Sequence, residues 1–239
     1  MPSNTVSAIS LTNLSLMLVP VALAVAVLLK WSIGIRNIGY AISRMLVQLL
    51  LIGYFLMYIF DSDSFLVVGA VLFTMILSAS WIALRTVKQY RMNLYKNAFL
   101  SIVAGGGFTL FIVTQGVLQI DPWYCPQYLI PLAGMIFANS MNSVSLAAER
   151  LYAELGRDET YTSAREIALK AAMIPIVNAL FAVGLVSIPG MMTGQILSGI
   201  APPIAARYQI MVMAMIFSST VLSLVCFLFL SRRTTQKML

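Results

Sequence analysis

The chain has 239 residues, of which 60% are hydrophobic and 10% charged, with a mean hydropathy of +0.92. An average soluble domain carries about 25% charged residues, so a soluble globular fold is excluded. The net charge of +7 does not point to nucleic acid, because the basic residues fall between apolar stretches instead of gathering on one water-exposed face.

A helix needs about 20 apolar residues to cross a hydrocarbon layer. Seven stretches approach that length, at residues 11–29, 45–60, 65–84, 98–118, 128–148, 171–188 and 209–230, and none contains Asp, Glu, Lys or Arg. The longest segment between them, residues 149–170, is too short to bury a core of its own. The expected fold is therefore an all-α integral membrane protein with seven transmembrane helices, residues 1–239 forming a single transmembrane domain. Cytoplasmic loops carry the excess of Lys and Arg. With the N-terminus outside and the C-terminus inside, fourteen of the fifteen basic residues fall inside, only Arg207 lies outside, and Asp61, Asp63 and Asp121 also fall outside.

Residues 1–29 carry no charge and so lack the basic n-region of a removable signal, which predicts a retained, reverse-oriented anchor. The second span begins before Met45, since Arg44 is followed at helical spacing by Gln48 on the same face. Arg44 can snorkel to the headgroups, and Gln48, a turn deeper, either bonds a neighbouring helix or lines a pathway. Gly105-Gly106-Gly107 in the fourth stretch has no following Gly-Lys-Ser/Thr, so it reads as a packing notch or hinge, not a phosphate loop. Cys125 and Cys226 belong to different membrane depths, which argues against a disulfide.

The fifth stretch places positions 135, 139, 142, 146 and 149 on one face, with Asn139, Asn142 and the adjacent Ser143 supplying polarity at membrane depth. Such a face looks into protein or water, as a helix–helix seam or as a translocation surface. Strong helix formers continue beyond the membrane to Leu155, and Gly156 is a plausible cap. Ser163-Ala-Arg-Glu166 reads as a capping box opening a second helix, with Pro175 kinking it near the membrane surface. Residues 149–170 are thus expected to form a cytoplasmic helical hairpin continuous with two spans. Glu149, Arg150, Glu154, Gly156 and Arg157 are its candidate contacts with a cytoplasmic partner. Between the last two spans, residues 189–203 are apolar but broken by Gly and Pro, which predicts an outer re-entrant or rim segment. Within it Pro189, Gly190 and Gly194 are structural or gating candidates, and Met191 and Met192 join the pathway candidates.

The chain contains no histidine, which removes His-based triads and His metal clusters. No P-loop is present, and the last span lacks the Schiff-base lysine of a rhodopsin. The spans hold neither acids nor lysines for intramembrane hydrolysis.

The sequence Gly184-Leu-Val-Ser-Ile-Pro-Gly-Met-Met-Thr-Gly-Gln195, with Ala206-Arg-Tyr-Gln-Ile-Met-Val212, Pro131-Leu-Ala-Gly-Met-Ile136, Asn139-Ser-Met-Asn142 and Arg44-Met-Leu-Val-Gln48, resembles the FetB-like membrane subunits of iron-export ABC transporters. Plant relatives of that family are linked to aluminium tolerance. The resemblance implies a homodimeric permease of a bacterial-type inner membrane. It would pair with a separate ABC-type ATPase that binds the ATP and Mg²⁺, so this chain would bind no cofactor and catalyse no reaction itself. The family's cytoplasmic loop is usually longer than the segment after Leu155-Gly156. On physical grounds a dehydrated ferrous ion prefers imidazole or carboxylate, whereas these spans offer Asn, Ser, backbone carbonyls and Met. Two other readings stay open: the same machine moving an organic solute such as a nucleotide sugar or lipid-like molecule, and a membrane scaffold or receptor that transports nothing.

Overall fold

The computed structural model describes residues 9–31, 35–62 and 64–236. The extreme N-terminus, Asp63 and Lys237, which enter the orientation argument above, lie outside the described residues. Helix is the main structure, and among the described residues the only β-type pairing is an isolated bridge between Val183 and Ser187. The helices are α1 (Leu11–Ser15), α2 (Leu18–Lys30), α3 (Ile35–Phe60), α4 (Phe65–Ala83), α5 (Arg91–Ile102), α6 (Phe108–Phe111), α7 (Pro126–Leu155), α8 (Tyr161–Ala182), α9 (Gly190–Leu197) and α10 (Pro202–Gln236). They fall into two compact units, one comprising residues 1–61 with 197–199, the other residues 62–196 and 200–239.

In the first unit α1 is capped by Ser10, whose side chain accepts from the Asn13 N–H at 3.1 Å. Helix α2 is apolar all round and buries no residue, the condition of a helix solvated by lipid. On α3, both Arg44 and Gln48 are exposed.

The second unit is a helical bundle. Helices α7 and α10 run parallel, because Ser140 meets Ser219 and Ser223 while Tyr152, further along, meets Thr235. Helix α8 returns antiparallel to both, bringing the Tyr161 hydroxyl to the Leu228 carbonyl. The alanines at 164, 168 and 172, spaced one turn apart and fully buried, pack with Ala147, Ala148 and Leu151. Small side chains let the two backbones approach, and van der Waals packing does the rest. A second core around Ile102, Ile136, Phe137, Val212 and Met215 fills the other half of the bundle.

The glycine notch is a close-packing device. Residues 103–107 are wound as π-helix, as are residues 112–117, on either side of α6. A Cβ on Gly105 would stand 2.4 Å from the Ser223 backbone nitrogen. The wider winding shifts backbone bonding, and Thr109 and Thr114 hydroxyls donate to the Gly105 and Leu110 carbonyls at 2.8 and 2.9 Å.

Among the described residues, six helices are long and apolar enough to cross a membrane: Thr12–Lys30, Ile38–Phe60, Phe65–Ala83, Lys88–Val117, Pro126–Leu155 and Pro202–Thr235. The stretch at 171–188 differs from the expectation. Helix α8 ends at Ala182, leaving a dozen apolar residues after Lys170, about 18 Å of helix against a core of roughly 30 Å. Gly184 at φ +82° turns the chain, its N–H bonding the Ser187 carbonyl, and Pro189 precedes the short α9. Helix α8 runs on through Pro175. The cap also differs: Thr160, not Ser163, caps α8, its side chain accepting from the Ser163 N–H at 3.3 Å. Gly156 does end α7 but in right-handed geometry, and the left-handed residue of the turn is Asp158 at φ +63°.

Candidate functional site

Helix α7 separates the predicted polar residues. Ser143 is buried, and Ser140 beside it donates to the Ser219 carbonyl at 3.3 Å while accepting from Ser223 Oγ at 3.1 Å. That side is a static seam with α10. On the outward side Asn139 is half-buried and donates to the Met135 carbonyl of its own helix at 2.8 Å, and Asn142 is exposed. With Ala138, Leu146 and Glu149 also exposed, this stripe is left uncovered. The structure thus joins Asn139 and Asn142 on one open face and takes Ser143 off it. Gln48 belongs to the other unit.

At the hairpin, Glu154 is 5% exposed and bridges Arg150 at 2.7 Å and Arg157 at 3.1 Å. Its carboxylate locks the turn from inside. A buried acid with two guanidinium partners is costly to unpair, so Glu154 holds the hairpin's shape and does not offer a docking surface. Gly156, Arg157, Asp158 and Glu159 form the exposed apex, while Glu149 is exposed and Arg150 half-buried further down α7. Burial pushes the Tyr161 hydroxyl up to about 12, against partial relief from Arg165 and Arg232, so it stays a donor to Leu228. Nearby, Tyr90 stacks on Tyr152 with ring centres 4.2 Å apart, and the Arg91 guanidinium lies 3.5 Å over the Trp81 ring. The tyrosine stack ties the loop carrying Arg85 and Lys88 to the end of α7, and the Arg91–Trp81 contact ties it to α4. A polar cavity of about 500 Å³ opens there, lined by Arg85, Lys88, Glu149 and Tyr152.

Two cavities lie towards the opposite end of the bundle, and the consecutive methionines of the Pro-Gly-Met-Met segment divide between them. Met191 faces a cavity of about 460 Å³ with Met135, Met211, Gln195 and Tyr208. Met192 faces a cavity of about 570 Å³ with Met213, Gln209, Val183 and Phe217. Gln195 and Gln209 each hold a buried side-chain oxygen without a hydrogen-bond partner. Pro189 lines the second cavity, and a Cβ at Gly190 or Gly194 would meet nothing within 4 Å. The sequence reading missed Gln195, Gln209 and Met211. Gln195 closes the very motif that was singled out, and Gln209 opens the last apolar stretch, but periodicity within one helix cannot show that each reaches a cavity.

Among the described residues, six membrane-length helices with apolar side chains facing outward over much of their surface define a polytopic helical integral membrane protein. Comparison with known proteins places it more closely. The family described as "Uncharacterised protein family (UPF0014)" matches residues 11–235, and the chain belongs to that family. It is 37% identical over 218 residues to "UPF0014 membrane protein slr1647" of Synechocystis, covering 84% of each chain. It is 34% identical over 235 residues to "Probable iron export permease protein FetB" of Escherichia coli, covering 92% of this chain and 89% of that one. Identity to "Protein ALUMINUM SENSITIVE 3" of Arabidopsis thaliana is 31% over 222 residues, covering 85% and 80%. No solved structure gives a significant match.

Proposed function

We propose that this chain is the membrane-spanning permease subunit of an ABC transporter that exports a metal ion from the cytoplasm. Two copies would assemble with two separate ATPase subunits, which bind the ATP and Mg²⁺ and carry out the hydrolysis. The observation that carries the reading is 34% identity across 92% of the chain to a protein named as an iron export permease. Two features support coupling to a partner. The hairpin of α7 and α8 is internally locked by Glu154 and presents a charged apex. Its helices continue without interruption into the bundle that carries Asn139 and Asn142. A rigid hairpin moves as one body, so displacement at its apex is transmitted along α7.

One observation favours an organic cargo: the cavity of about 570 Å³ beside Met192 is walled mainly by apolar side chains, including Leu180, Ile188 and Phe217. The same assay separates the readings. The chain is purified with its native partners, and ATP hydrolysis is followed across a panel of metals and organic solutes. Metal export requires a co-purifying P-loop ATPase stimulated by metal. Stimulation by organic solutes alone supports the second cargo class, and failure of any ATPase to co-purify supports a scaffold or receptor. In the assembled complex, Asn142→Leu is expected to lose substrate-stimulated hydrolysis if the open face of α7 is the pathway. Retained stimulation makes that face a seam between copies.

A further inference from the structure

The cavity bounded by α7, α9 and α10 has a lining that neither relatives' names nor the family description assign. Its walls carry three thioethers, Met135 from α7, Met191 from α9 and Met211 from α10, together with Gln195 and Tyr208. Met135 and Met211 come from helices that run parallel, and they line the same cavity. Methionine is a flexible gap-filler in many cores. All three are half-buried and pack on one side against the second core, and on the other they border one space of about 460 Å³. Gln195, on the same wall, keeps Oε1 buried with no hydrogen-bond partner. A buried acceptor without a donor is a standing cost unless something occupies the space beside it.

We propose that this cavity is a binding site for a soft monovalent metal cation, Cu(I) or its analogue Ag(I), held by the thioethers of Met135, Met191 and Met211. Neutral sulfur donors select such ions, while Fe(II) and harder divalent cations favour imidazole and carboxylate. Among the described residues no group of three or more His, Cys, Asp or Glu is placed to hold a metal. Three flexible stems can close on an ion and release it, as cargo binding requires, and the Gln195 oxygen gains a cation or its water as partner. The site's place in transport rests on the permease reading above; its ability to bind does not.

The test uses the full chain in detergent with Cys125→Ser and Cys226→Ala, because thiols would bind Ag(I) on their own. Ag(I) retained after dialysis is counted per chain, and X-ray absorption at the silver edge identifies its neighbours. The expected result is about one Ag(I) per chain with sulfur neighbours, lost in the Met135→Leu, Met191→Leu, Met211→Leu variant and retained in Met92→Leu, Met173→Leu, whose side chains lie away from this cavity. Thermal unfolding checks that both variants fold, since Met to Leu conserves volume. Equal retention in the two variants, or none in the parent, overturns the site. With the ATPase present, Ag(I)-stimulated hydrolysis lost only in the first variant places the site on the transport route. Binding without any ATPase partner leaves the site standing and removes the permease reading. Fe(II) stimulation undiminished by the three substitutions, with Ag(I) inert, overturns the soft-metal cargo.

Discussion

Gly105 shows how little room separates the central helices. A methyl group there would approach the Ser223 backbone nitrogen to 2.4 Å and its Oγ to 2.5 Å, and the obstacle is chiefly backbone. Ser223 is itself held by its bond to Ser140, so the conflict cannot be relieved by one rotamer change. Gly105→Ala is expected to lower stability by about 1–3 kcal/mol, the usual range for overpacking. Two residues away, a Cβ on Gly107 would meet nothing within 4 Å. Gly107→Ala should be neutral or stabilising by up to ~1 kcal/mol through helix propensity alone. Thermal unfolding of the two variants in the same detergent checks this. Similar losses at both positions would mean that glycine serves winding throughout the π-helical segment and not close approach at one point.

Among the elements, the hairpin separates structural from exposed charge. Asp158→Asn with Glu159→Lys keeps a side chain that tolerates the left-handed backbone at 158, alters only the apex charge and is expected to weaken ATPase association while leaving unfolding unchanged. Glu154→Gln removes the charge shared by Arg150 and Arg157 and should instead destabilise the chain, by about 1–3 kcal/mol, because the two guanidiniums left behind reach solvent. Co-purification and thermal unfolding, measured on both variants, check the division; undiminished association of the apex variant would move the contact elsewhere, with the cavity beside Arg85 and Lys88 the next surface to examine. The hairpin was legible in the sequence because strong helix formers flank a polar break around Gly156. Its start was misplaced because Thr160 and Ser163 are both competent caps and only backbone geometry chooses between them. The role of Glu154 was not legible, since burial on the inner side of a turn depends on how two helices cross. Nor were the cavities, whose methionines come from positions as far apart as 135 and 211 and meet only when α7 and α10 lie parallel.

At the scale of the molecule, the open matter is whether six long helices mean six crossings. Composition registers burial in lipid but not whether the path through it is straight, which is why residues 171–188 read as a simple span. Helices α7 and α10 run parallel and touch along their length, so the chain between them must travel back from one end of the bundle to the other. Helix α8 covers part of that distance, and the turn at Gly184 with α9 covers the rest. A broken return of this kind is tolerated at membrane depth where protein or a cavity flanks it, and two cavities do. Seven crossings put the termini on opposite sides, whereas six put them on the same side. The basic end of the bundle, with Arg85, Lys88, Arg157, Arg165 and Arg233, is then expected to face the cytoplasm. In a cysteine-free background, an impermeant maleimide should label Ile9→Cys and Trp123→Cys in intact cells, both sites being exposed. Asp158→Cys and Arg233→Cys, also exposed, should react only after permeabilisation. Equal labelling of Ile9→Cys and Arg233→Cys in intact cells would leave an even number of crossings. A reversal of the whole pattern would instead keep seven crossings and invert the orientation, turning the methionine cavity to the cytoplasmic side and making it an entry site for cargo.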